Sequence, residues 1–132
     1  MSHAELKEDE ILGLWRSEDE TVKIEIYKDE ASNSLSGKIV WVEIDEEDPP
    51  PAFDVLNPDP SLREQPIVGL QCITGLVFHN RKKEWKNGQL YHPEEGKSYH
   101  LKGWLDDDKI LHLRASVDSL SLLGQTFKWY GA

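Results

Sequence analysis

The chain has 132 residues and carries 25 Asp and Glu against 15 Lys and Arg, a formal net charge of -10. Phosphate backbones and anionic membranes are held by cationic side chains, so this balance argues against both nucleic acid and anionic membrane as partners. The length sets the expectation of one domain (1–132), able to bury about two-thirds of its unfolded surface in a single core.

Much of the acid falls in short runs, Glu8 to Glu10, Asp45 to Asp48 and Asp106 to Asp108, which read as solvated turns and termini. Cys72 is the only cysteine, so no intrachain disulfide can form, and its place in the apolar run Ile67 to Phe78 suggests a small buried hydrophobe. No stretch approaches the ~18 apolar residues of a membrane span, and Met1 to Glu10 shows no signal-peptide core. As given, the chain is expected to be soluble, with a polar N-terminal segment over 1–10.

In chain order, Ile11 to Trp15 is a short apolar stretch suited to a strand or to one helical turn, with Trp15 in the core. Thr21 to Tyr27 alternates, placing Val22, Ile24 and Ile26 on one face and Lys23 and Glu25 on the other, the mark of a half-buried strand. Asp29 to Ser36 is turn-rich, and Gly37 to Ile44 is a β-branched run that predicts the second strand of a hairpin. Asp45 to Pro66 holds six of the seven prolines and predicts an irregular excursion, with a short helical turn at Pro60 to Glu64 capped by Asp59. Long connections of this kind in small domains are usually either functional or mobile. Ile67 to Phe78 predicts a strand bent at Gly69 and Gly75.

From Trp85 to Trp104 the turn signals cluster. Asn87-Gly88 predicts a two-residue hairpin turn and Pro93 to Gly96 a second turn, with strands at Gln89 to His92 and Tyr99 to Leu105. A two-residue loop would oppose Leu101 to Arg114 and mix the faces, so a three-residue loop at Asp106 to Asp108 is expected, with Leu101 facing Leu113, Lys102 facing His112 and His100 facing Arg114. The leucines 101, 105, 111 and 113 then share one face. Ser116 to Gly124 is a less regular connection, and Gln125 to Tyr130 predicts the last strand. Short strands, close turns and no long amphipathic helix predict an all-β antiparallel domain that removes its edges by closing into a small barrel with a few helical turns.

Asp54, Asn57-Pro58-Asp59-Pro60, Leu62-Arg63, Pro66, Gly69, Trp85, Gly88, Tyr91, Pro93, Gly96, Lys97, Tyr99, Leu123 to Thr126 and Trp129 together resemble the bacterial family catalogued as domain of unknown function number 2147, from about Leu12 to the C-terminus. The resemblance implies a lipocalin-like β-barrel, an exported or periplasmic setting and no established reaction. The chain departs from the family pattern in lacking an exported N-terminus, in the acidic, proline-rich Asp45 to Ala52, and in Ala115, where glycine is common.

The chemistry motifs are sparse. The five histidines have no HExxH, Cys/His zinc spacing or EF-hand loop around them, and Cys72 has no basic neighbour. No metal, cofactor or catalytic residue is therefore expected. Asp54, Asn57 and Arg63 form the most interesting polar set. One reading is structural, with Asx turns and an Asp54 to Arg63 ion pair pinning the loop; the other has the loop capping a barrel mouth with Arg63 meeting an anionic or polar ligand. Trp15, Trp41, Trp85, Tyr91, Tyr99, Trp104, Phe127 and Trp129 divide similarly between core and ligand wall. The leading expectation is non-enzymatic binding of an apolar or amphipathic small molecule, with Asp54, Asn57, Arg63, Trp85, Tyr91 and Tyr99 as the contact set. The alternative is a protein interaction module using the acidic surface and the proline-rich loop.

Overall fold

A computed structural model describes residues 7–132, so the start of the polar N-terminal segment lies outside the described residues. Eight antiparallel strands follow one another around a closed barrel: β1 (Gly13–Ser17), β2 (Val22–Asp29), β3 (Ser34–Val42), β4 (Gln71–His79), β5 (Glu84–His92), β6 (Lys97–Leu105), β7 (Leu111–Ser116) and β8 (Gly124–Gly131). Each strand pairs with its sequence neighbour, and β8 returns to β1 through Trp15–Ser17 and Trp129–Gly131. Two single 3-10 turns complete the structure, Glu8–Ile11 and Pro60–Leu62.

The alternation read in β2 holds: Ile24 and Ile26 are buried, and Val22 packs on the core. The stretch Ile11 to Trp15 divides, Ile11 ending the 3-10 turn, Leu12 capping it, and Gly13 to Trp15 joining β1. The second of these strands begins earlier than composition suggested. Ser34, Leu35 and Ser36 belong to β3 and all three are buried, Ser36 donating to Asp29 Oδ2 at 3.4 Å. Leu35 needs the core, and the serines are small enough to accompany it. Ile67 to Leu70 precedes β4 as a loop, although Ile67 and Leu70 are themselves buried.

Asn87-Gly88 is not a turn. It lies inside β5, where Asn87 takes a positive φ of 65° and the register to β6 slips between Trp85 and Gly88, a β-bulge. The left-handed preference of Asn is thus used for a bulge. The hairpin turn sits instead at the polar run Asn80 to Lys83, where Lys83 N–H donates to the His79 carbonyl at 2.8 Å. That choice leaves β5 long enough to bury Trp85 and to pack Gly88 against Leu76. A Cβ on Gly88 would meet Leu76 Cδ2 at 2.6 Å.

The β6–β7 hairpin keeps the predicted faces but moves the register by two residues. Leu105 pairs with Leu111, Gly103 with Leu113 and Leu101 with Ala115, so the loop covers residues 106–110. Asp106 explains the longer loop. Its Oδ1 accepts from the Asp108 and Ile110 N–H groups, its Oδ2 is 2.8 Å from His112 Nε2, and Lys109 adopts a φ of 64°. These bonds hold the Asp106 carboxyl below its ordinary range, the His112 contact most of all.

Successive hairpins place their connections alternately at the two ends. One end is closed by the first 3-10 turn: Ile11 is fully buried, Trp15 Nε1 donates to the Ile11 carbonyl at 2.9 Å, and Trp85 Nε1 donates to the Glu8 carbonyl at 2.9 Å. Lys28 pairs with Glu8 across the same plug. The other end carries the connections 18–21, 43–70, 93–96 and 117–123.

Pro93 to Gly96 forms the predicted turn, with Gly96 at φ +66° donating to the His92 carbonyl at 2.9 Å. A Cβ on Gly96 would run into the Leu56 carbonyl, so this turn is also the seat on which the long excursion rests. Gly96→Ala is expected to cost ~2 kcal/mol or more, from left-handed strain plus displacement of the Leu56 backbone. Urea unfolding against the parent measures it.

Candidate functional site

The long connection 43–70 is irregular because proline cannot donate to a ladder, and its order comes from side chains together with a single antiparallel bridge between Phe53 and Pro66. Asp59 accepts from the Ser61 N–H at 3.0 Å, capping the turn Pro60–Leu62 as the sequence implied. Asp54 is fully buried and serves as the hub. Asn57 Nδ2 donates to its Oδ2 at 2.8 Å, Gln65 Nε2 to the same oxygen at 3.0 Å, and the Tyr91 hydroxyl to Oδ1 at 2.7 Å.

Burial opposes ionisation of Asp54, but the three donors outweigh it and hold the carboxyl below its ordinary value. Burial pushes the Tyr91 hydroxyl up to about 12, and its bond to Asp54 adds to the effect. The network therefore latches the excursion onto β5.

Arg63 does not pair with Asp54, as one reading of the sequence had it. Its Nε donates to the Asn57 carbonyl at 2.8 Å, and the side chain is exposed. The amide donors of Asn57 and Gln65 already fill the carboxylate, which leaves the guanidinium to brace the loop backbone.

Inside the barrel, the end away from the plug is hollow, with a cavity of about 350 Å³. Its wall includes Ile24, Ile39, Cys72, Ile73, Leu90, Leu101, Leu113, Ala115, Phe127 and Trp129, and its rim includes Ser17, Asp19, Thr21, Pro50, Pro51, His92 and Glu94. Burial pushes the Cys72 thiol up to about 12, so it is a neutral, apolar part of the wall at ordinary pH.

The opening extends down one side of the barrel. β1 turns away at Ser17, so β8 residues 124–128 pair with β7 alone among the described residues. Phe127 consequently lines the cavity while remaining 48% exposed. A second, more open groove of about 500 Å³ runs outside, between the excursion and the start of β4, bordered by Asn57, Leu62, Gln65, Val68 and Tyr91.

Of the residues singled out from sequence, Asp54, Asn57 and Tyr91 come together in the latch, and Tyr91 borders both the cavity and the outer groove. Arg63 lies beside them but lines neither space. Trp85 sits in the closed half of the core, and the Tyr99 hydroxyl donates to Glu95 at 2.8 Å within its own hairpin; neither lines the cavity. Phe127 and Trp129, two of the aromatics weighed as ligand wall, do line the cavity, whereas its aliphatic part was missed and Ala115 was visible only as a departure from the family pattern. Among the described residues no cluster of His, Cys, Asp and Glu is placed to hold a metal ion, and no helix is long and apolar enough to cross a membrane.

A closed, eight-stranded antiparallel meander with one plugged and one open end is a lipocalin-like barrel. Residues 13–130 match the family described as an uncharacterised protein conserved in bacteria (DUF2147), and the chain belongs to that family. Among solved structures the chain is similar to protein HP1028 from the human pathogen Helicobacter pylori, described as belonging to the lipocalin family. The identity is 21% over 92% of this chain and 82% of that one, with a TM-score of 0.77, a likeness of fold. No curated protein matches the chain.

Proposed function

We propose that this protein binds an apolar or amphipathic small molecule in the open half of its barrel, without catalysing a reaction on it. The observation that carries the reading is the cavity of about 350 Å³ walled by aliphatic and aromatic side chains. Concave apolar sites of a few hundred Å³ with a few polar groups at the rim are the common form of small-molecule sites. At about 30 Å³ for each water-sized group, the enclosed space takes roughly a dozen heavy atoms, and the open side lets a longer ligand protrude. In this reading Pro50, Pro51 and Ile67 let the excursion roof part of the mouth, and the Asp54 latch holds it there.

Titration with an uncharged environment-sensitive fluorophore such as N-phenyl-1-naphthylamine tests the reading. Saturable one-site enhancement supports it, as does a metabolite found by mass spectrometry in an organic extract of the purified protein. No saturable binding, with an extract that matches the buffer blank, contradicts it.

A second reading, a protein partner docked on the open end, is favoured by the exposure of Leu120, Leu122 and Leu123 in the 117–123 connection. It predicts capture of a partner that persists near 0.5 M salt, where screening falls to about 4 Å, and that is lost in Leu122→Ser with Leu123→Ser. Capture indifferent to those substitutions removes this reading.

A further inference from the structure

We infer that the cavity is selective for a cationic head group, so that its ligand is an amine-bearing amphiphile in preference to a fatty acid. This rests on the binding reading above and adds the chemical class of the ligand. Among the described residues the wall and rim contain no Lys or Arg, whereas Asp19 and Glu94 both stand at the rim. A carboxylate head group would find no cation there to meet it.

Asp19 uses one oxygen to build the β1–β2 turn, accepting at Oδ1 from the Ser17 hydroxyl at 2.8 Å and from the Thr21 hydroxyl at 2.7 Å. Its Oδ2 has no donor among the described residues. His92, also at the rim, has its Nδ1 shielded and without a hydrogen-bond partner, 3.7 Å from Glu95 Oε1. Phe127 and Trp129 in the wall are aromatic, and aromatic rings tolerate an ammonium group.

The surrounding charge points the same way. The four segments at the open end, 17–21, 43–70, 93–96 and 117–123, carry fourteen carboxylates and a single base, Arg63. At the closed end, the segments 7–12, 30–33, 80–83 and 106–110 carry seven carboxylates and five bases. The excess of negative charge is therefore concentrated around the mouth, where it attracts cations and repels anions over about a screening length.

Displacement of N-phenyl-1-naphthylamine by three ligands of equal chain, decylamine, decanol and decanoate, at pH 7 tests this. Decylamine is protonated there, as a lysine side chain is. The expected order is decylamine, then decanol, then decanoate, with the amine acting at roughly tenfold lower concentration than the carboxylate. In about 1 M salt the gap should narrow. The double variant Asp19→Asn with Glu94→Gln should reduce the amine-to-alcohol ratio, while Glu10→Gln with Asp107→Asn, the same charge change at the closed end, should leave it. Decanoate competing as well as decylamine, or a ratio unmoved by the rim variant, overturns the head-group inference while the cavity reading stands. Failure of the uncharged probe to bind the parent overturns both.

Discussion

Trp85→Ala is expected to lower the stability of the protein by ~3–5 kcal/mol, the usual cost of truncating a fully buried aromatic. Trp85 fills the closed half of the barrel, with its ring 4.8 Å from Phe78 at 45°, and its Nε1 holds the Glu8 carbonyl. Alanine removes that packing and leaves the plug without its bond to β5. Urea unfolding of the variant beside the parent gives the value, and near-equal midpoints would show that the closed end is not held as described. Because Trp85 lies outside the cavity wall, the fraction that stays folded should still bind the uncharged probe.

The second large effect is at Asp54. Asp54→Ala strands three donors, the Asn57 and Gln65 amides and the Tyr91 hydroxyl, at a buried position, and hydrogen bonds to a charged group are each worth ~1.5–3 kcal/mol. A loss of ~3–5 kcal/mol at pH 7 is expected. The pH dependence follows from the direction of the shift. The folded carboxyl titrates below the ordinary value of 3.8, so its contribution is complete above that pH and fades as pH falls through the lower folded value. Parent and variant should therefore converge in acid. At the alkaline side the Tyr91 hydroxyl is raised from 10.0 to about 12, so the parent should lose stability between those values, a loss that Tyr91→Phe removes. A gap between parent and Asp54→Ala that stays constant from neutral pH into acid would contradict an ionised hub.

The barrel was legible because its inward residues alternate. Val22, Ile24 and Ile26 announce one face, and the leucines 101, 105, 111 and 113 another, before any contact is seen. The same pattern is blind to a register shift of two, which returns every side chain to its own face. The choice between loop lengths fell to the bonds of Asp106, a local matter that hydrophobic pattern does not encode. Asn87-Gly88 shows a related limit, since a positive φ serves a bulge as well as a turn. Asp54 and Asn57 could be singled out because polar residues in a proline-rich excursion need partners, and Tyr91 because a polar-tipped ring suits the border of a pocket. The direction of Arg63 could not, because only the three-dimensional arrangement shows that amides had already taken the carboxylate. The cavity was least legible of all, since Leu113 reads the same in sequence whether it meets another side chain or a void.

The central claim, that the open half of the barrel is a ligand site, is tested most directly at Ala115, an inward position of β7 on the cavity wall. Ala115→Trp places an indole into the hollow without disturbing the plug or the Asp54 latch. One titration with N-phenyl-1-naphthylamine, run on parent and variant with thermal melting of each, decides the matter. The account predicts saturable binding by the parent and its loss in a variant that melts near the parent temperature. Undiminished binding by a folded Ala115→Trp variant would contradict it, because the probe would then be held somewhere other than the barrel.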